Sequence, residues 1–439
     1  MLGKTLRKNL FESVLSPFGL VIVLTIFSFF LVFSKGIGEG LPWSESLHQM
    51  LSFWQNGFFG LLGFTLQMMM ILVFGYSLAI FKPINRLLRW VSNWPDSLLK
   101  SVLLTAGITM CSGLLNWGFG LIVGAVLARF MHEGLVAKNI RSNPALLAAS
   151  GYLGMGVWHG GLSGSAPLSM AESGNFLEEI VGVVPAELTL FSNFNLITTG
   201  GLCCVFLATA WFLAFKSSKN HDSTDSIPID PIPSGNENSL ARFAGLFMIV
   251  VLLAGLSLTN EKGLGFITLN WVNFLLFSLT LFVYRSSGNF SLAVSKGLKS
   301  SADIFIQFPF YAGILGLITD SGILVTASNF VVEFSSLEWF PILSFLSAAL
   351  VNLFVPSGGG QWAIQGPLIL ETASVFGLEL EKMIMVFAYG DQISNLLQPF
   401  WALPLLAITG VSVRKIFPYT LVFFLAGLIW LCLSIVFFF

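Results

Sequence analysis

The chain has 439 residues, 55% of them hydrophobic and only 10% charged, with a mean hydropathy of +0.84. Those proportions exclude a soluble core and indicate a polytopic membrane protein. The net charge of −1 offers nothing to nucleic acid, and the four cysteines (Cys111, Cys203, Cys204, Cys432) lack metal-ligand spacing and read as small core residues.

Lys4, Arg7 and Lys8 precede a first apolar span at about 17–34. Its core, Phe18–Phe33, is too long for a signal-peptide h-region and no small-residue cleavage site follows, so it reads as a retained span. The segment 35–55 carries Glu39, Glu45 and His48, and a second span runs over about 57–81. Lys82, Arg86, Arg89 and Lys100 mark the next connection. Ser101–Ala128 is then uncharged, yet interrupted by Ser112-Gly113-Leu114-Leu115-Asn116-Trp117-Gly118-Phe119-Gly120. Lys100 and Arg129 flank it, and basic residues at both ends argue against a crossing. The pattern predicts a re-entrant hairpin at about 97–130; one long tilted helix with a glycine kink is the alternative.

Residues 144–168 begin as a helix and dissolve at Trp158-His159-Gly160-Gly161-Leu162-Ser163-Gly164-Ser165-Ala166-Pro167. An acidic loop at 169–187 and a span at about 188–215 follow. The polar segment 216–240 holds three prolines and reads as a disordered cytoplasmic linker between a first half, 1–215, and a second, 241–439. Spans are predicted at about 242–259, 265–284 and 302–326. The run Phe340–Leu370 is uncharged and broken at Pro356-Ser357-Gly358-Gly359-Gly360-Gln361. Proline removes a donor and three glycines cannot hold a helix, so two half-length legs are predicted, a second hairpin at about 340–371. A span at 383–409 is interrupted by Asp391–Pro399, and a last one runs over 416–438.

With the N-terminus inside, all but Lys35, Lys262 and Lys382 of the 21 basic residues fall on the inner side. The same map puts the ends of the first hairpin inside, those of the second outside, and the C-terminus outside. The order span, hairpin, broken span, span thus reads twice from opposite faces, with Asn116 standing where Asn352 stands. The expected fold is an all-α polytopic membrane protein with inverted repeats, two opposed re-entrant hairpins and two broken helices, the architecture of secondary transporters.

Every Lys and Arg maps to a loop or span end, so backbone N–H groups and helix N-termini remain to hold a buried anion. Such a seat suits one carboxylate better than two. The residues expected to bind it are Ser357, Gly358, Gly359, Gly360 and Gln361 of the second tip, Asn116 and Gly118 of the first, and Ser163, Gly164 and Ser165 of the first broken span. A valine at Gly359 is expected to block the anion. Asp391, His159, Asn352 and Asn395 are expected to couple transport to a cation, proton or sodium, since polar groups at membrane depth are functional by default. The plainer reading of these glycines is close helix packing, and that of His159 a structural hydrogen bond. Trp117, Phe119 or Trp362 could receive an aliphatic tail or face lipid. No organic cofactor is indicated, and the sequence leaves a metal ion undetermined.

Asn352-Leu353-Phe354-Val355-Pro356-Ser357-Gly358-Gly359-Gly360-Gln361-Trp362-Ala363-Ile364-Gln365-Gly366-Pro367 resembles the signature of the bacterial short-chain fatty acid transporters. Asn116–Gly120 and His159–Ser165 resemble them as well. The resemblance covers nearly the whole chain. It implies uptake of short monocarboxylates such as acetoacetate or butyrate across the bacterial inner membrane. Through the wider ion transporter superfamily it implies a homodimer whose transport domain moves against a scaffold as an elevator. Where those relatives carry Ser-Asn-Thr at each tip, this chain has Asn116-Trp117-Gly118 and Pro356-Ser357-Gly358-Gly359. A rival reading is an intramembrane serine protease built on Gly161-Leu162-Ser163-Gly164; others are an ion channel or the carrier of another small organic anion.

Overall fold

The computed structural model describes residues 17–171, 175, 177–217, 239–256, 269–323, 325–326, 329 and 336–439, and no strand occurs among them. Six of its helices are long and apolar enough to cross a membrane: Val21–Gly38, Leu98–Leu115, Trp117–Ala137, Asn193–Ser217, Ala302–Asp320 and Val413–Phe438. Most of the predicted linker, 218–238, lies outside the described residues, as do the basic residues before position 17.

The first span is Pro17–Gly38. The segment 35–55 is not a plain connection, because Trp43–Phe58 is a helix. It places Glu45 and His48 outward while Ser46 is buried and donates to the Phe33 carbonyl at 3.2 Å. Gly57 lies so close to the helix Ala302–Asp320 that a Cβ there would meet the Ala312 carbonyl at 2.7 Å and Gly316 Cα at 2.8 Å. Small residues at the crossing let the two backbones touch. The second span accordingly starts at Leu62 and ends at Ile80. Lys82–Ser92, in the stretch read only as a basic connection, and Ser287–Ser300, between two predicted spans, are two further helices.

The first hairpin is formed by Leu98–Leu115 and Trp117–Ala137 packed side by side. A Cβ on Gly120 would sit 2.6 Å from Gly113 Cα, so the chain doubles back at Asn116 and is not one kinked helix. At about 1.5 Å per residue the legs reach roughly 27 and 31 Å, the second running past the expected end at 130. Arg129 therefore lies within a leg and not at its end. It bonds Glu133 and donates to the Ile408 carbonyl at 2.7 Å.

The first broken span unwinds earlier than expected. Pro144–Gly151 is helical, tight turns occupy Leu153–Gly156 and Trp158–Gly160, and a short helix resumes at Ser165–Ala171. Gly151 and Gly154 are the reason: they nest against Gly124, Thr109 and Gly113 of the hairpin with no room for a side chain.

The second hairpin comprises Phe340–Asn352, a non-helical tip at 353–357, and Gly358–Phe376, which ends at the left-handed Gly377 (φ 70°). Its legs have 13 and 19 residues, so the first is shorter than a span, as expected of a half-length leg, and the second is not. The second broken span runs through Leu380–Ser394, a turn at Asn395–Leu397, and Pro399–Thr409. Asp391 is thus still helical, one turn before the break. The last helix is Val413–Phe438. Helix, hairpin, broken span and helix follow one another from 62 to 217 and again from 302 to 438. The two sets interlock where the first hairpin's second leg packs on Pro399–Thr409 and the two breaks touch. The cysteines are not core residues: Cys111 and Cys204 are exposed on the helix surfaces, Cys203 and Cys432 partly so.

A candidate functional site where two broken helices meet

Broken helices leave carbonyls that must find donors at membrane depth. At the second break side chains supply them. Asn352 Nδ2 donates to the Asp391 carbonyl at 2.7 Å, and the Tyr152 hydroxyl to that of Asn395 at 2.9 Å. Gln398 Nε2 donates to the Asn352 carbonyl at 2.6 Å. Pro399 has no N–H to offer, and Gln398 just before it is extended, which fixes the place of the break. Tyr152 comes from the first half, so the knot ties the two halves together.

Above this knot two ionisable side chains meet. His159 Nε2 contacts Asp391 Oδ2, both side chains being fully buried. The His159 main-chain N–H donates to Gln392 Oε1 at 3.0 Å, and its ring lies against Trp158 with centroids 3.7 Å apart. Nδ1 of His159 is buried with no hydrogen-bond partner in the protein. A structural hydrogen bond, the plainer reading of His159, thus accounts for only one of its two ring nitrogens.

The second hairpin tip covers the pair. Ser357 caps the helix Gly358–Phe376, its Oγ accepting from the Gly360 N–H at 3.2 Å. A Cβ on Gly358 would lie 2.9 Å from Asp391 Oδ2 and 3.0 Å from His159 Nε2. Glycine is needed there because the backbone itself rests on the pair. At Gly359 a Cβ would meet nothing within 4 Å, so the steric block expected at Gly359 belongs to Gly358. The positive end of this helix therefore faces Asp391.

The first tip is closed. Asn116 Oδ1 accepts from its own helix, the Phe119 N–H, at 3.0 Å. The Trp117 N–H donates to Ser163 Oγ at 3.0 Å, and the Leu162 N–H to the Leu114 carbonyl at 2.7 Å. Gly118 is buried, Gly164 is pressed onto the His159 carbonyl and Ser165 starts a helix. Gln361 turns away from the tip, its Nε2 donating to the Ala348 carbonyl and to Gln365 Oε1. By role Asn116 corresponds to the cap Ser357 and not to Asn352, which donates into the second break and contacts Ser394 Oγ and Asn395 Oδ1. With Ser163 bonded to Trp117 and His159 to Asp391, no serine–histidine couple exists at the Gly-x-Ser-Gly stretch.

Of the aromatic rings expected near a tail, Trp362 is buried on Phe387, Phe119 is exposed, and Trp117 lies between Trp158 and Trp401. An apolar cavity of about 240 Å³ adjoins the second break, lined among others by Leu24, Tyr152, Leu353, Leu396, Gln398 and Ile416. Sequence reasoning missed Tyr152, Gln392 and Gln398. Only Gln398 carried a signal, its place before Pro399.

A family described as short chain fatty acid transporter matches residues 3–438. The chain belongs to that family. Relatives provisionally named as short-chain fatty acid transporters are a protein of Escherichia coli strain K12, 37% identical over 383 residues (84% of this chain and 86% of the relative), and one of Haemophilus influenzae, 33% identical over 421 residues (91% of each). The chain is a multi-pass membrane transporter and not an enzyme. Among solved structures, the Alcanivorax borkumensis YdaH transporter overlaps with a TM-score of 0.45 at 16% identity, covering 96% of this chain and 98% of that one. Neisseria gonorrhoeae MtrF gives 0.39 at 17%, covering 95% and 94%. At that overlap no site residue carries across.

Proposed function

We propose that this transporter carries short-chain monocarboxylates, such as butyrate or acetoacetate, by cation-coupled alternating access in the bacterial inner membrane. The observation that carries the reading is the second hairpin tip. The N-terminus of Gly358–Phe376 opens onto a buried His159–Asp391 pair, and no Lys or Arg among the described residues bonds to either member. One imidazole and one helix N-terminus suit one carboxylate; a second charge on the substrate would find no partner. The apolar cavity beside the second break suits a short aliphatic tail.

In this reading the second hairpin moves with its cargo while Asp391, His159, Asn352 and Asn395 couple it to a cation. The N-terminus lies inside, the C-terminus outside, and the two hairpins enter from opposite faces. Two copies form a homodimer, as the family resemblance implies. Saturable uptake of labelled butyrate by proteoliposomes, inhibited by acetoacetate and not by succinate, is the expected result. Equal inhibition by succinate would overturn the monocarboxylate assignment.

A further inference from the structure

The helix N-terminus that should receive the substrate's carboxylate already faces one. Asp391 Oδ2 lies beneath Gly358 and against His159 Nε2, while the buried Nδ1 of the same ring has no partner. An imidazolium offers two N–H donors, so His159 can hold a second carboxylate at Nδ1. One imidazolium with two carboxylates would carry a net negative charge at membrane depth, an unfavourable state unless a cation arrives as well.

We propose that this cation is a proton, taken up on Asp391, and that each substrate carboxylate crosses with one proton. The proposal rests on the monocarboxylate reading above and names its coupling ion. Sodium would need the oxygens freed by the broken helix. Most of those oxygens are engaged, and the two buried ones at the break without a partner, Asn352 Oδ1 and Gln398 Oε1, are too few to replace a sodium ion's water shell. The Asp391 carbonyl, Ser394 Oγ and Asn395 Oδ1 gather around the Asn352 amide nitrogen at 2.7, 2.9 and 2.7 Å. The Asn395 and Gln398 carbonyls accept from Tyr152, and the Asn352 carbonyl from Gln398.

Other titratable groups stay out of the exchange. The Tyr389 hydroxyl donates to Asn195 Oδ1 and that of Tyr152 to the second break. Glu381 and Lys382 start the helix that carries Asp391. On the elements packed against that helix the charged residues among those described are Glu371, Arg414 and Lys415, all exposed. None bonds to the pair.

The step balances in atoms and charge. A proton from the outer water binds Asp391 Oδ2 and releases it from His159. The imidazolium keeps its proton and charge, and its Nδ1–H donates to the entering carboxylate. The site is neutral before, as imidazolium and aspartate, and neutral after, as imidazolium and substrate with Asp391 in its acid form. On the other side the carboxylate and the proton leave together and the ion pair closes again. No net charge crosses.

The test uses the full chain in proteoliposomes, with initial rates of labelled butyrate uptake taken in excess of protein-free liposomes and the membrane potential clamped. An inward proton gradient should raise the rate, and a sodium gradient or a change in potential should not. Asp391→Asn should abolish gradient-driven accumulation and flatten the pH dependence, and Asp391→Glu should restore both. Infrared difference spectra of the detergent-purified protein give a readout apart from transport. Butyrate should induce a protonated-carboxyl band in the wild type that is missing in Asp391→Asn. Acceleration by sodium, or undiminished accumulation by Asp391→Asn, would overturn the proposal. Wild-type counterflow of butyrate needs no gradient; its absence would instead refute the monocarboxylate reading itself.

Discussion

The two hairpins are alike in outline and opposite in what their tips do. The first turns in a single residue, Asn116, and its tip is bonded to the first broken span through Trp117 and Leu114. Its legs touch backbone to backbone at Gly113 and Gly120, and it presses on the first broken span at Gly124 and Gly151. The second turns over five residues, 353–357, and rests on two ionisable side chains, with Gly359 and Gly360 exposed. Glycine serves packing in the first hairpin and access in the second. The same residue type therefore closes backbone contacts in one half and, in the function proposed above, opens a seat for an anion in the other.

Substitutions can break this contrast, the largest effect coming from the seat. His159→Ala leaves Asp391 buried without its partner and should cost about 3–5 kcal/mol. The double variant His159→Ala/Asp391→Ala should recover much of that loss, which denaturation of the purified protein measures as a non-additive pair. Next, Gly120→Val forces a side chain into backbone and should cost roughly 3 kcal/mol, read as a lower unfolding temperature and yield. Gly358→Val should also destabilise, since it displaces the buried His159–Asp391 pair, but its folded fraction should lose uptake while that of Gly120→Val retains it. Equal loss of uptake per folded molecule in the two valine variants would erase the contrast.

Smaller effects sharpen it. Ser163→Ala removes the acceptor of the Trp117 N–H and should cost about 1 kcal/mol, with little change in substrate affinity. Asp96, at the foot of the first hairpin, has its carboxyl held below its usual 3.8 by the Lys100 ammonium. A lowered value means that its contribution is present at higher pH and is lost only as pH falls through that lowered value. Asp96→Asn should therefore leave uptake and its pH profile unchanged between about pH 5 and 8.

Much of this fold was legible because glycine and proline inside uncharged runs can mean only a break or a close contact. Asn116, Pro356–Gly360 and His159–Gly164 announced themselves in that way. The helix Trp43–Phe58 did not, since its charged residues hid an inward face. Asp391 looked like part of the break, but helix persists through Ser394 because Asn352 satisfies the exposed carbonyl from another element. The pairing of His159 with Asp391 spans 232 residues. Composition shows that each is costly at depth, and only the packing of the halves shows that they answer each other. The choice between Gly358 and Gly359 is likewise a matter of which way the first helical turn faces.

The central claim, that the second hairpin tip seats the substrate's carboxylate, is most directly tested by protection of Gly359→Cys. A Cβ is tolerated there, and Cys111, Cys203, Cys204 and Cys432 would first be replaced by serine. Butyrate should slow alkylation of the introduced thiol, half-maximally near its KM for uptake, and succinate should not. An alkylation rate unchanged by saturating butyrate would contradict the account.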